Sequence, residues 1–407
     1  MNSAVWKGKM QTAERHGDQM EMVLNRLPAK TWNRLRMNEA VAAVDEEGFE
    51  IVKPIVKLEH TGLYWEENIK NALPKMHTGM GSDLDEVLAG VNGDLLQAEE
   101  KEQEKEACLT YTYTGEKKEA AFLRLHAKEK STLSVIVTLQ SGEGSHAPGR
   151  VLQSVEEQRK EKAMENTGAA GKVSAEADAV FRTLLYAEKD AKIKLYLVQL
   201  FGDNTTALVD LGGICEENAQ IELIRIDLGA KKLYTGAAVD LKGRASSFQA
   251  GIGYHVRTGQ MMDMNYVVNH LGKKTKSLME ASAVLEDHAD KLFRGTIDFQ
   301  RGCAGAKGTE TETVLLLGDG QVNQTIPLIL CQEEDVEGNH GASIGKLDEK
   351  MLFYLSTRGI SQEEAQKMIA RSRIDALCEK IPEETARNAV WSFEGYETEG
   401  EEENEEL

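Results

Sequence analysis

From about residue 219 to residue 331 the chain breaks into short units in which apolar and polar positions alternate. They read IELIRIDLG, KLYTGAAVDLKG, SFQAGIGYHVRTG, DMNYVVNHLG, SLMEASAVLEDHA, LFRGTIDFQRG, ETETVLLLGDG and QTIPLILC. Within the first unit Ile221, Leu223, Arg225 and Asp227 share one face and Glu222, Ile224, Ile226 and Leu228 the other, the period of a strand. Gly229, Gly243, Gly259, Gly272 and Gly320 punctuate the units, where a left-handed backbone would favour glycine. Matching positions recur about every 14–16 residues, so the stretch is a repeat of short strands. Two folds satisfy that pattern equally: an antiparallel sandwich or barrel of hairpins, and a right-handed β-helix in which two units make one rung.

The flanks carry a different period. Residues 9–26 and 84–108 are charged and mostly free of proline, with leucine and methionine at helical spacing, and the first 107 residues are expected to be mostly helical. The strand ladder is expected over 108–335, with a Gly-, Ser- and Ala-rich insertion at about 141–180 that includes a helix near 151–165. Residues 336–393 read as a helical module. Ser361 and Glu364 are placed for a capping box, and Pro382 interrupts the helical pattern before the Glu383–Glu384 pair restarts it. The tail at 394–407 holds eight glutamates and no base, too charged to fold.

Charge narrows the function. The net charge is −20, and about −12 remains when the tail is set aside, so a nucleic-acid binder built on clustered Lys and Arg is excluded. No run of 18 apolar residues spans a membrane, and the opening residues lack a secretory apolar core, which makes a cytoplasmic protein the expectation. Five cysteines (Cys108, Cys215, Cys303, Cys331, Cys378) stand far apart with no CxxC pair, giving neither a disulfide framework nor a zinc motif. There is no GxxxxGK[ST], HExxH or GxSxG, so the chain is not expected to be an enzyme or to hydrolyse ATP. A β-helical carbohydrate-active protein is a weaker reading: aromatic content is 6% and no carboxylate cluster stands out in the ladder.

The stretch 335–365, DVEGNHGASIGKLDEKMLFYLSTRGISQEEA, carries the most specific pattern. His340 sits between Gly338 and Gly341. The run Met351 to Leu355 and then Arg358–Gly359–Ile360 follow, before the EEA that ends the stretch. This string resembles the C-terminal signature of the SufB/SufD family, scaffold proteins of the Suf iron–sulfur cluster assembly system. The resemblance extends upstream through His270, Thr275 and Ser277, through Phe293, Gly295 and Ile297, and through the Leu315–Leu317 run. More loosely, Leu27, Pro28, Thr31, Trp32 and Leu35 resemble the entry segment of SufD-type members.

The resemblance implies a β-helical core and favours that fold over the sandwich. It implies a SufD-like scaffold that pairs with a SufB-like subunit (or with itself) through the β-helix and docks a SufC-like ABC ATPase through the C-terminal helices. The docking residues would be Leu352, Phe353, Tyr354, Arg358, Gly359 and Ile360. No cofactor is expected to be bound stably; a transient iron–sulfur cluster is expected at the subunit interface, with His340, on a glycine-flanked turn, as the first candidate ligand. SufD members often read C-S-H-G where this chain has Gly338–Asn339–His340–Gly341, and SufB members carry a cysteine where this chain has Glu312 and Thr313. Both departures point to the SufD-like role and leave Cys303 and Cys331, 28 residues or two units apart, as candidate replacement ligands. A homodimeric scaffold working with the ATPase alone is the alternative.

Overall fold

Period-two alternation becomes inside and outside of a parallel β-helix of about seven turns. The structure, a computed structural model, describes residues 15–395 apart from 17–18, 32–36, 46–47, 59–61, 71, 89–90, 100–103 and 143–174. One long sheet, here sheet A, stacks Ile55–Leu58, Lys105–Tyr113, Thr132–Ser141, Lys192–Leu200, Gln220–Asp227, Ser247–Val256, Lys276–Leu285, Ala306–Leu316 and Val336–Lys346 in that order. The facing sheet B stacks Leu63–Ile69, Gly93–Ala98, Glu119–Ala127, Ala179–Ala187, Thr206–Cys215, Lys232–Leu241, Met261–His270, Asp290–Phe299 and Val322–Cys331. The chain alternates between the sheets, so each strand pairs in parallel with the one a full turn later. Thr206 stands on Lys232 and Asp290 on Val322, which sets one turn at about 26–32 residues, or two of the sequence units.

Inward residues form columns along the axis. Ile193, Ile221 and Phe248 stack in one column and Leu195, Leu223 and Ala250 in the next, all buried between the sheets. Burying each such side chain contributes roughly 1.5–3 kcal/mol, and the repeat multiplies that contribution along the axis. At the N-terminal end Ile55–Leu58 and Leu63–Ile69 join their sheets antiparallel, breaking the parallel stack. A small sheet (Arg15–His16, Gln19–Leu24, Ala40–Asp45, Ala175–Glu176) and helix α1 (Ser82–Leu88) pack on the outside of sheet B through Met22, Leu24, Leu84 and Leu88 against Phe122, Val180 and Leu208.

Three helices follow the last strand: α2 (Glu349–Ser356), α3 (Gln362–Cys378) and α4 (Glu384–Phe393). The capping box at Ser361 and Glu364 forms in both directions, and Pro382 separates α3 from α4. Helices α3 and α4 lie on the outer face of sheet A, where Ile374, Leu377 and Val390 meet Ile136, Val198 and Ile226. A Cβ on Gly251 or Gly253 would stand 2.9 or 2.8 Å from a Leu377 methyl, so the two glycines admit the helix.

Several expectations are corrected. The first 107 residues are mainly strand among those described, with α1 the one helix. In Gln19–Leu24 the buried Met22 and Leu24 alternate with the half-buried Glu21 and Val23, a strand period. In Lys105–Tyr113 the inward residues Ala107, Leu109, Tyr111 and Tyr113 keep the same period, alternating with the half-buried Glu106, Cys108, Thr110 and Thr112. The β-helix therefore begins well before 108, and it ends at Lys346 rather than 335, because Val336–Lys346 adds a final rung to sheet A. Glu394, expected to begin an unfolded tail, instead caps α4 and is nearly buried, and the rest of that tail beyond 395, the helix expected near 151–165, Trp32 and Leu35 lie outside the described residues.

Candidate functional site

The C-terminal end of the β-helix is open. Its last strands, Val322–Cys331 and Val336–Lys346, each pair on one side only, and almost every residue of Val336–Lys346 is exposed. His340 lies in the middle of this edge strand and not on a turn, which corrects the reading from its flanking glycines. The backbone hydrogen bonds that glycine-rich sequence would not hold alone come from Ala306–Leu316. At Gly338 a Cβ would meet the Phe299 ring at 2.9 Å and Ile329 at 3.1 Å, so this phase of the strand faces inward. Two residues on, His340 shares that phase and stands over Glu310.

Below His340 the interior is polar. Lys291 and Glu312 are fully buried and paired at 2.5 Å. Lys291 also donates to Asn323 Oδ1 (2.9 Å) and Thr325 Oγ1 (3.0 Å), while Tyr254 and Thr325 donate to the two Glu312 oxygens at 2.5 and 2.6 Å. Glu310 is 2% exposed, its carboxyl lies against Gly295 where a Cβ would collide with it, and its Oε2 has no hydrogen-bond partner. Burial first, and then repulsion from Glu312, pushes Glu310 up to about 7 against the pull of Lys291. One buried cation thus faces two buried carboxylates beneath the open end.

Sequence reasoning missed this group. Its signal was present in the run T-E-T-E-T at 309–313, whose alternation puts both glutamates on one face, and in the phase that Lys291 shares with Phe293 and Ile297. His270, in contrast, is a satisfied core histidine. Its ring nitrogens bond Thr275 Oγ1 (2.8 Å) and Ser277 Oγ (2.9 Å), and burial lowers its pKa to about 4, so it stays neutral.

Cys331 closes sheet B at the same end, exposed, with its thiol donating to the Glu333 carbonyl at 3.2 Å. It caps a column of inward residues, standing on Phe299, which stands on His270. Cys303 is buried at the adjoining corner, and burial raises its thiol pKa, with Glu333 and Cys331 adding to the shift. The two cysteines share one corner of sheet B, whereas His340 belongs to sheet A. Among the described residues no group of three or more His, Cys, Asp or Glu is arranged to hold a metal ion.

The residues expected from the sequence to dock an ATPase sit on α2 and the turn after it. Phe353, Tyr354 and Met351 are 70%, 55% and 50% exposed, and Leu352 is half-buried. Arg358 lies over the Tyr354 ring at 5.1 Å. Gly359 takes a left-handed φ of 86° that ends the helix and lets Ile360 N–H bond the Leu355 carbonyl at 3.2 Å.

These features define a β-helical protein whose chemistry-bearing groups gather at one open end beside an exposed apolar helix. Residues 136–373 match the family model of the SufBD core domain of SUF-system iron–sulfur cluster assembly, and the chain belongs to the SufB/SufD family. It is similar to the iron–sulfur cluster assembly protein SufB of Bacillus subtilis strain 168, with 28% identity over 212 residues. A SufBD family protein of Staphylococcus saprophyticus is 27% identical over the same length. In each case the match covers 52% of this chain and 46% of the relative, so the chain spans about half the length of the curated relatives it matches. Among the described residues no helix is long and apolar enough to cross a membrane.

Proposed function

We propose that the chain is a SufD-like scaffold subunit of iron–sulfur cluster assembly, pairing with a SufB-like subunit through the open end of its β-helix. The observation that carries this reading is the last rung. An edge strand leaves its hydrogen-bonding groups unpaired, exposes an imidazole over a buried carboxylate, and presents one exposed thiol at the facing sheet. Iron and sulfide are the substrates, held between subunits by ligands from both; His340 supplies the imidazole from this side, and Cys331 is the available thiol. A SufC-like ATPase docks on Phe353, Tyr354 and their neighbours, and its closure on nucleotide transmits force through the helices packed on sheet A. The chain itself lacks a phosphate-cradling loop and acts without ATP chemistry of its own.

The test is purification of the complex from its native source under anaerobic conditions, with identification of the subunits. A SufB-like and an ATPase subunit in stable proportion are expected. Co-purification with neither would sink the proposal. If the chain instead forms a homodimer that works with the ATPase alone, the same preparation holds this chain and the ATPase only.

A further inference from the structure

His255 points outward from sheet A, between the inward-facing Tyr254 and Val256, into the seam with the C-terminal helices. Its Nδ1 lies 3.1 and 3.3 Å from the two carboxylate oxygens of Glu394, the residue that caps α4. Its Nε2 lies 3.3 Å from Glu286 Oε1, in the turn after the neighbouring strand. Arg257 donates to Glu394 (3.0 Å) and to the Leu228 carbonyl (2.7 Å), with its guanidinium 5.1 Å over the Phe393 ring. The side chains of His255 and Glu394 are only 8% and 7% exposed.

A neutral imidazole carries one N–H and one lone pair. Both nitrogens lie within 3.3 Å of carboxylate oxygens, Nδ1 on the nearly buried Glu394 and Nε2 toward Glu286, whose side chain is 34% exposed, so a neutral ring would turn its lone pair toward a carboxylate, whereas the imidazolium suits both neighbours. The position of Glu394 points the same way. A carboxylate at a helix C-terminus is disfavoured by the helix dipole, so its seat depends on the cations beneath it.

We propose that His255, Glu394 and Arg257 form a protonation-dependent latch that seats the end of the C-terminal helical module on the β-helix. The latch is closed while both imidazole nitrogens carry protons, and it opens at α4 when one proton is lost. Trp391, which donates to Asp375 at 3.0 Å, still ties α4 to α3, so opening frees the two helices at their outer edge while Leu377 stays between Gly251 and Gly253. Helix α2 joins the same module, and its link to ATPase docking rests on the function proposed above; the latch does not.

The charged groups facing His255 are Arg257 at the end of its own strand, Glu286 from the next turn and Glu394 from α4, while Lys367 of α3 acts on Glu286. Burial opposes the charge on His255, but bonding to Glu286 and Glu394 outweighs it and raises the pKa. Glu286, against its own burial, is drawn down to about 2, and Glu394 is lowered as well. The histidine's contribution is therefore complete below the free-imidazole value of about 6.5 and lost as pH rises through the raised value. The carboxylates' contribution is present above their usual range near 4.5 and lost as pH falls toward about 2.

Hydrogen exchange of the full chain, corrected for intrinsic rates and followed by mass spectrometry at about pH 6 and about pH 9, tests this. In the wild type, protection of α4 is expected to fall between the lower and the higher pH. Protection of Ser247–Val256 should stay constant. His255→Gln should show the low α4 protection at both pH values. Glu394→Gln, outside the sheet and tolerable to the fold, should do the same and serves if the first variant does not fold. Equal α4 protection at both pH values in the wild type, or a wild-type profile in Glu394→Gln, overturns the latch.

Discussion

At Ala245 the backbone stands at a φ of 59° with an ordinary side chain, and Lys130, Asp190, Asn218 and Lys274 repeat that conformation at the same corner of other turns. Each donates its N–H to a carbonyl at the corner one turn on, as Asn218 does to Arg244 and Ala245 to Lys273, so the ladder holds them there. Nearby Gly243 has no such φ. It is needed because a Cβ would lie 1.9 Å from the Glu217 nitrogen. Replacing Ala245 with Gly removes left-handed strain and is expected to add about 0.5–1 kcal/mol in thermal or denaturant unfolding. Gly243→Ala is expected to cost about 1–3 kcal/mol. The glycines therefore marked the corners correctly in the sequence but for a different reason than backbone handedness, Gly259 excepted. Glu310 gives a second test at this scale. Its folded pKa stands near 7, above the unfolded value of 4.5, so its folded state favours the proton and stability is lost as pH rises from 4.5 through 7. Glu310→Gln is thus expected to stabilise the protein above that range by about 1–3 kcal/mol, at roughly 1.4 kcal/mol per unit, and to change little near pH 4.5. Urea unfolding at the two pH values decides it; a variant less stable than wild type at both would show that the carboxylate is charged and held.

At the scale of elements, what was legible followed the strength of the period. The unit IELIRIDLG declared its inward face correctly down to Arg225 and Asp227, which are paired and buried inside the β-helix. The capping box and the break at Pro382 were local chemistry and were read at their true positions. The N-terminal strands were not legible, because Met and Leu among Glu and Lys fit a helical spacing as readily as a strand, and the tertiary ladder chose. The last strand failed for a related cause: VEGNHGASIGK has the composition of a turn, and its pairing partner lies about 30 residues upstream. Helix α2 exposes Phe353 and Tyr354, the aromatic pair on which the proposed ATPase docking rests. Paired substitution of Phe353 and Tyr354 by Ser is therefore expected to weaken ATPase association by tenfold or more, with burial of aromatic anchors worth about 1.4 kcal/mol per tenfold. The melting temperature should hold, since neither residue packs on the core. Unchanged affinity in a pull-down or calorimetric titration would remove the docking assignment.

The whole molecule has two unlike ends. The N-terminal end is finished by antiparallel strands, which do not template another parallel rung, while the C-terminal end stops in mid-pattern with Val336–Lys346. There Ile344, in phase with the core residue Val314 beneath it, is 52% exposed, and His340 stands over Glu310. An edge strand with its core column uncovered is incomplete as a surface and complete as half of an interface. Ile344→Lys places a charge on that rim, where solvent reaches it in the free chain and a partner strand would bury it. The free chain should lose less than about 1 kcal/mol, because the site is half exposed. Pairing should fail, because a charge without a partner is costly to bury. Light scattering on the complex, with a melting curve of the free chain as control, separates these effects. His340→Ala probes the same end without touching its apolar rim: pairing and melting should match the wild type, while iron and acid-labile sulfide per complex fall. Wild-type iron in His340→Ala would leave the imidazole a surface residue of the edge, and intact pairing in Ile344→Lys would mean that the subunits meet elsewhere on the molecule.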